Sequence, residues 1–416
     1  ANTWLGSGGK FGDPCQFAVD NLRVSNVPRD FSQDALRDRE VQPDDHTLLL
    51  DTFEHDFQPD GRRNATPDRI KFAGMWAGIV PPAQSRFVEG VSGNALDLAG
   101  DTGETKLLDY LKSRGVNTLV FQEGEANTQA YGSTEMHSDE LHALVEACHE
   151  RGIKLLLYFG YELSDAAPEW DFYRDEVLVK PRRGGYQRKD IPQTAYICCY
   201  RSPWEEYVLS SIARMMDEYD IDGVYLDGTT EPFGCDNELH GCGYVGEDDE
   251  RHRTYPIFAV RDLMRRMRHI IKSRKPDGLI SAHMSASVTM PTLAFVDDYW
   301  DGEQFQSKEH GFRLVLDAFR AEFMGRNYGV PAEFLSYEKR PFTFEEALGM
   351  ALVHDVLVRP TTRGNKLDTM SRVWRIWDEF DVNSAEWVPY WQEGGPVTSE
   401  DPEALISTYV KPHNFA

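Results

Sequence analysis

The chain has 416 residues, 41% of them hydrophobic and 12% aromatic, a composition that builds a packed core and excludes general disorder. Its 69 acidic residues against 44 basic ones leave a formal charge of -25, which repels phosphate backbones and anionic membrane surfaces. Neither nucleic acid nor a membrane is therefore expected as a partner, and no apolar run approaches the about 18 residues of a spanning helix.

Residues 1–103 carry short strand signals punctuated by Gly, Asp and Pro. "FAVDNLRVSNVPRDF" alternates apolar and polar residues between Phe17 and Val27. "HTLLLDTFEHDF" and "FVEGVSGNALDLAG" are two further strand candidates. From residue 104 helix and strand alternate. "TKLLDYLKSRG" is an amphipathic helix, and "SDELHALVEACHERG" is a second, with Ser138 and Gly152 as its capping residues. The strand series is "VNTLVFQEG", "IKLLLYFGY", "TAYICCY", "IDGVYLD", "LISAHMS", "LAFVDDYWDGE", "AEFLSY" and "HDVLVRP". Eight strands interleaved with helices over 104–400 predict an α/β fold of the (β/α)8 TIM-barrel type. An open doubly wound sheet is the runner-up, disfavoured because no Gly-rich phosphate turn follows the first strand. Residues 401–416 read as the start of a C-terminal β segment. The chain opens on Ala1 and ends on a strand-like run, so a piece of a longer protein is expected.

In such barrels chemistry sits at the C-terminal strand ends. Here those ends carry acids: Glu123, Glu162, Asp227, Glu231, Asp297, Asp298, Asp301 and Glu303. An acid closing an apolar strand is costly unless it is satisfied or used. A ring of carboxylates suits glycoside cleavage, which takes one carboxylate against the developing oxocarbenium centre and one carboxylic acid for the leaving oxygen. Asp227, in "DGVYLDG", is the expected nucleophile. Asp301 and Glu303 are the acid/base candidates, Asp301 ranked ahead as nearer its strand, with Trp300 placed to exclude water from them. Substrate binding is expected from Glu123, Glu162, Trp170, Arg201, Glu231, His283, Trp300 and Tyr337. Of Asp297 and Asp298, one is expected to pair with Arg or Lys.

The six cysteines include Cys235 and Cys242, which flank the loop "GCDNELHGCGY". A disulfide or a pair of free thiols ranks ahead of a zinc site there, because Cys-x6-Cys is not a zinc-knuckle spacing. No metal and no cofactor is expected.

The "DGVYLDG" and "DDYWDGEQF" strands resemble the catalytic strands of barrel glycoside hydrolases. Over roughly 104–400 the chain resembles glycoside hydrolase family 123-like bacterial catalytic domains. A weaker likeness is to the α-galactosidase clan, whose Asp nucleophile on strand four and Asp acid/base on strand six imply Asp227 and Asp301. Family 123 uses an adjacent Asp-Glu pair, whereas Gly228 follows Asp227, so the resemblance implies the reaction class and not that mechanism. "AVDNLRVSNVPRDFS", "LLLDTFEHDF" and "FVEGVSGNALDL" resemble strands of a laminin-G or concanavalin-A-like lectin sandwich. Together these imply a secreted or periplasmic glycoside hydrolase with a carbohydrate substrate, acting by a two-carboxylate, retaining mechanism. The alternatives are a carbohydrate-binding or adhesion protein on a barrel scaffold, and a metal-dependent hydrolase or lyase.

Overall fold

A computed structural model describes residues 104–122, 138–187, 193–228, 232–285, 288–306, 316–323, 329–335, 342–360, 366–411 and 414–415, together with five upstream strands. The chain divides into two compact units, Ala1–Thr66 and Pro67–Ala416. In the first, Leu22–Ser25 pairs antiparallel with Thr47–Asp51. In the second, Phe87–Gly90 pairs antiparallel with Gly93–Leu96.

The centre of the second unit is an eight-stranded sheet. Its strands are β1 (Phe72–Trp76), β2 (Thr118–Gln122), β3 (Lys154–Phe159), β4 (Gly223–Leu226), β5 (Leu279–His283), β6 (Asp298–Asp301), β7 (Ala332–Phe334) and β8 (Leu357–Val358). All neighbours pair in parallel, and the spatial order follows the chain order without a reversal. A doubly wound sheet needs such a reversal, so that runner-up fails. A helix lies between each strand and the next, among them Glu104–Ser113, Ser138–His149, Trp204–Tyr219 and Ile257–Arg274, and Lys366–Phe380 follows β8.

Two strand assignments change. "TAYICCY" was expected to be a stave of the sheet, but Thr194–Ile197 lies in a separate three-stranded antiparallel sheet with Glu162–Ser164 and Gly184–Gln187. The eighth stave is instead Phe72–Trp76, from the part assigned to a sandwich. Antiparallel and parallel staves carry the same apolar, β-branched texture, so only pairing separates them. The segment from Glu162 to Ile197 is thus an excursion beyond the end of β3. Of the expected lectin sandwich, the described residues of 1–103 contain these two antiparallel pairs and β1. At the C-terminus, Glu386–Val388, Thr408–Lys411 and Asn414–Phe415 form a small antiparallel sheet.

The alternation of each strand sorts its side chains between two cores. Val120, Leu156, Tyr225, Leu279, Trp300 and Leu335 meet on the inner face, with Tyr158 beside them. Val224, Leu226, Tyr299 and Phe334 join the larger core under the helices. At the N-terminal end two aspartates do matching structural work. Asp222 accepts from the Leu155 amide at 2.8 Å and Asp297 from the Ile280 amide at 2.9 Å. Asp297 is also held by Lys272 at 2.9 Å and Arg268 at 3.3 Å, the basic partnership expected for one of the Asp297–Asp298 pair. No helix among the described residues is long and apolar enough to cross a membrane.

Candidate active site

Asp227 follows β4 on the inner face, two residues beyond Tyr225. Its neighbour Gly228 has φ +74°, and a Cβ there would fall 2.0 Å from the Tyr161 ring, so only glycine fits the turn. This turn leaves the Asp227 side chain 31% exposed at the mouth of the sheet. Tyr158, at the end of β3, donates to Asp227 Oδ2 at 2.8 Å. On the β5 side, His283 Nδ1 lies 3.2 Å from Asp227 Oδ1. The other ring nitrogen, Nε2, lies 3.6 Å from Glu303 Oε2 and 2.7 Å from Ser285 Oγ. Ser285 Oγ accepts from the Glu303 amide at 3.1 Å and fixes the turn that carries this glutamate. Asp227 and Glu303 therefore stand on opposite nitrogens of one imidazole.

The electrostatics keep Asp227 ionised. Burial pushes its carboxyl up, but the charge and hydrogen bond of His283, with the Tyr158 hydroxyl and the Gly228 amide, bring it below its ordinary value. Reciprocally, burial lowers His283, and the Asp227 and Glu303 carboxylates more than offset that, leaving the imidazole raised. Tyr200 closes the same corner, donating to the Gly228 carbonyl at 2.8 Å. Burial and the charges of Glu162 and Asp227 hold its phenol protonated, well above its usual value.

Below this level the inner face is sealed. Trp300 is fully buried between Tyr225, with ring centroids 4.4 Å apart, and the Arg359 guanidinium, 3.6 Å above its ring. Glu333 lies against Trp300 and Arg359, and burial pushes it up to about 8 despite both. Asp298, beside Ser281, is raised well above its ordinary value by burial and then by Glu333.

The other expected site residues fall as follows. Asp301 is fully buried and belongs to the outward set of its strand, with Tyr299. Its Oδ1 accepts from the Gly302 amide at 2.6 Å and Gln304 Nε2 at 2.8 Å. Burial, then the charge and hydrogen bond of Glu322 on the helix Leu316–Glu322, raise it well above its usual value. The structure thus brings Glu303, and not Asp301, to the His283 ring that Asp227 also contacts. Nearness to the strand's end had ranked Asp301 first, but the twofold alternation turns it away from the mouth. Trp300 contacts no solvent and forms a floor. Trp170 is stacked on Tyr196 at 5.3 Å and flanked by Arg174 and Arg182, so its ring packs within the excursion. Arg201 donates to the Gly241 carbonyl at 2.8 Å. Glu162 is buried beside Tyr200. Glu123, Glu231 and Tyr337 lie outside the described residues.

Sequence reading missed Tyr158, Tyr200, Ser285 and Arg359. Tyr158 had a signal: two residues past Leu156, at the end of an apolar strand, it shares the face of Asp227. The five described cysteines are unbridged, so Cys235 and Cys242 form no disulfide. Instead Cys199, Cys235, His240 and Cys242 lie together, a group with metal-ligand chemistry beside the mouth.

Comparison with known proteins agrees with this architecture. Residues 104–228 match a family model described as hypothetical glycosyl hydrolase 6. Residues 369–416 match the C-terminal domain of glycoside hydrolase 123, whereas the expected resemblance was to that family's catalytic domains over 104–400. No curated protein matches the chain. Among solved structures, a noncanonic maltogenic α-amylase, AmyB, from Thermotoga neapolitana is 11% identical, with a TM-score of 0.54 over 83% of this chain and 84% of its own. α-L-Fucosidase isoenzyme 2 from Paenibacillus thiaminolyticus is 13% identical, with a TM-score of 0.50 over 77% of this chain and 51% of its own. A family GH13_31 enzyme is 16% identical with a TM-score of 0.46, and the chain spans 63% of its length. At these identities the amylase and the fucosidase speak to fold alone. Both matching family models are glycoside hydrolase models, and they cover residues 104–228 and 369–416 of the chain.

Proposed function

We propose that the chain hydrolyses O-glycosidic bonds of an oligo- or polysaccharide by a two-carboxylate mechanism centred on Asp227 and Glu303. The observation that carries this reading is the pair of contacts at His283: one carboxylate on each ring nitrogen, at the open end of a parallel sheet. Asp227, held ionised by Tyr158 and His283, is suited to attack or stabilise an oxocarbenium-like centre. Glu303, with its side chain 44% exposed, is placed to protonate the leaving oxygen. The carbohydrate class of the substrate rests on the family matches together with this pair. Retention of anomeric configuration belongs to the proposal. It calls for a separation of about 5–5.5 Å between the two carboxyl groups when the sugar is bound. A secreted or periplasmic setting and a closed barrel are further parts of the reading.

The test is turnover of aryl glycosides by the wild type, Asp227→Asn and Glu303→Gln. Asp227→Asn loses at least about 10³-fold in kcat with an unchanged circular dichroism spectrum. Glu303→Gln loses about 10²–10⁴-fold on poor leaving groups and much less on activated ones. Full activity in Asp227→Asn would remove the mechanism, and an inverted product seen by proton NMR would remove retention.

A further inference from the structure

Three thiols and one imidazole converge next to the excursion, beside the active-site mouth. Cys199 lies just past the strand Thr194–Ile197, while Cys235, His240 and Cys242 come from the loop beyond β4. All four are buried, and their ligand atoms lie within 4.8 Å of one another. Cys199 Sγ and Cys242 Sγ are 3.8 Å apart, far beyond the about 2.05 Å of a disulfide. Four donors around a metal at about 2.3 Å from sulfur make a tetrahedron whose S···S edge is about 3.8 Å.

The imidazole is oriented for ligation. His240 Nε2 lies 2.6 Å from the Glu176 carbonyl, an obligate acceptor, and 3.1 Å from Asn237 Nδ2; the shorter contact to the carbonyl assigns the proton to this nitrogen. That leaves the Nδ1 lone pair toward the sulfurs, 3.6 Å from Cys235 Sγ. A carbonyl fixing the tautomer of a ligating histidine is the usual second contact of such a site. The amides of Lys180 and Asn237 donate to Cys235 Sγ at 3.5 and 3.4 Å, as they would to a thiolate. Positive side chains hold the backbone around the cluster: Arg201 on the Gly241 carbonyl, and Arg251 on those of Asp236 and Cys242. Simple packing of thiols explains neither the aimed imidazole nor the amides.

We propose that Cys199, Cys235, His240 and Cys242 bind one Zn²⁺ in a closed Cys₃His site. Four protein ligands leave no open position for a substrate or water, so the metal's role is structural. Soft thiolates with one imidazole in a tetrahedron select zinc among the common divalent ions. Binding takes the three sulfurs as thiolates and releases their protons to solvent. The site bolts the loop that follows Asp227 to the excursion that follows β3. Phe233 of that loop stacks on Tyr161, at 5.0 Å, the ring against which Gly228 turns. Metal would therefore stiffen the rim next to the carboxylates.

The full chain, purified without chelator under reducing conditions, tests this by elemental analysis and by cobalt(II) substitution. The expected result is one zinc per chain. Cobalt should show the visible bands of a tetrahedral ion with a thiolate charge-transfer band in the near ultraviolet. Cys199→Ser and Cys242→Ser weaken zinc binding at least about tenfold, while Cys148→Ala, on the distant helix Ser138–His149, keeps full occupancy. Should the ligand variants fail to fold, the wild type still decides: a chelator would lower Tm and expose three thiols to a thiol reagent, and zinc would reverse both. Reduced wild type that takes up neither zinc nor cobalt, or whose thiol reactivity ignores chelator, would overturn the proposal, as would a Cys199–Cys242 bridge in non-reducing mass spectrometry. Metal binding is read independently of glycoside turnover, so either result leaves the other open to its own test.

Discussion

His283 Nδ1 lies 3.2 Å from Asp227 Oδ1, and the same ring reaches Glu303 from its far side. This arrangement makes the pH response of one carboxylate depend on the imidazole. His283→Gln removes the charge that holds Asp227 below its ordinary value. Burial then dominates, and the Asp227 carboxyl rises. The acidic limb of kcat/KM should move to higher pH in this variant, and an unmoved limb would uncouple the two residues.

Stability linkage at the pair has two signs. His283 is raised in the fold, so its contribution is fully present below its unfolded value of 6.5 and is lost as pH rises through the folded one. Asp227 is lowered, so its contribution is present above its unfolded value of 3.8 and is lost as pH falls through the folded one. In Asp227→Asn, thermal melts should show less loss of stability above pH 6.5 than the wild type.

Tyr158 donates to Asp227 Oδ2 at 2.8 Å. A hydrogen bond to a charged group contributes about 1.5–3 kcal/mol, and Tyr158→Phe should lower kcat by about 10-fold or more. Melting temperature should fall with the loss of that bond while the fold is kept, because the ring stays packed against Tyr225. An activity equal to that of the wild type would place Tyr158 outside the chemistry.

Asp301→Asn separates the two candidate acids. The amide oxygen can still accept from the Gly302 amide and from Gln304, so the variant should fold. Activity should stay within about threefold of wild type, against the about 10²-fold or greater loss for Glu303→Gln. A reversed ranking would return the acid/base role to Asp301.

Glu333 is buried and pushed up to about 8, against 4.5 when unfolded. A raised carboxyl stabilises fully below the unfolded value and loses that contribution as pH rises through the folded one. Between about pH 4.5 and 8, Glu333→Gln should therefore lose less stability than the wild type, which melts at the two ends of that window would show.

The order of the elements was legible along the chain. Apolar runs of strand length alternate with amphipathic helices closed by a glycine such as Gly152, and each such signal is local. Seven of the eight staves were readable in this way, because a buried parallel strand is nearly continuous in Leu, Ile and Val. The acids at the strand ends were readable too, since polar residues closing apolar runs stand out. Only the folded chain decided which acids meet. Asp301 and Glu303 differ by two positions, yet strand alternation turns one under a helix while the next turn lifts the other to the mouth. Phe72–Trp76 became a stave by pairing with Thr118–Gln122, each residue with one 46 positions further along the chain. Cys199 joined Cys235, His240 and Cys242 in the same way. Periodicity and caps act over a few residues and are written in sequence. Strand partners, ion pairs and ligand sets are made by segments far apart in the chain, and they exist only once packing has brought those segments together.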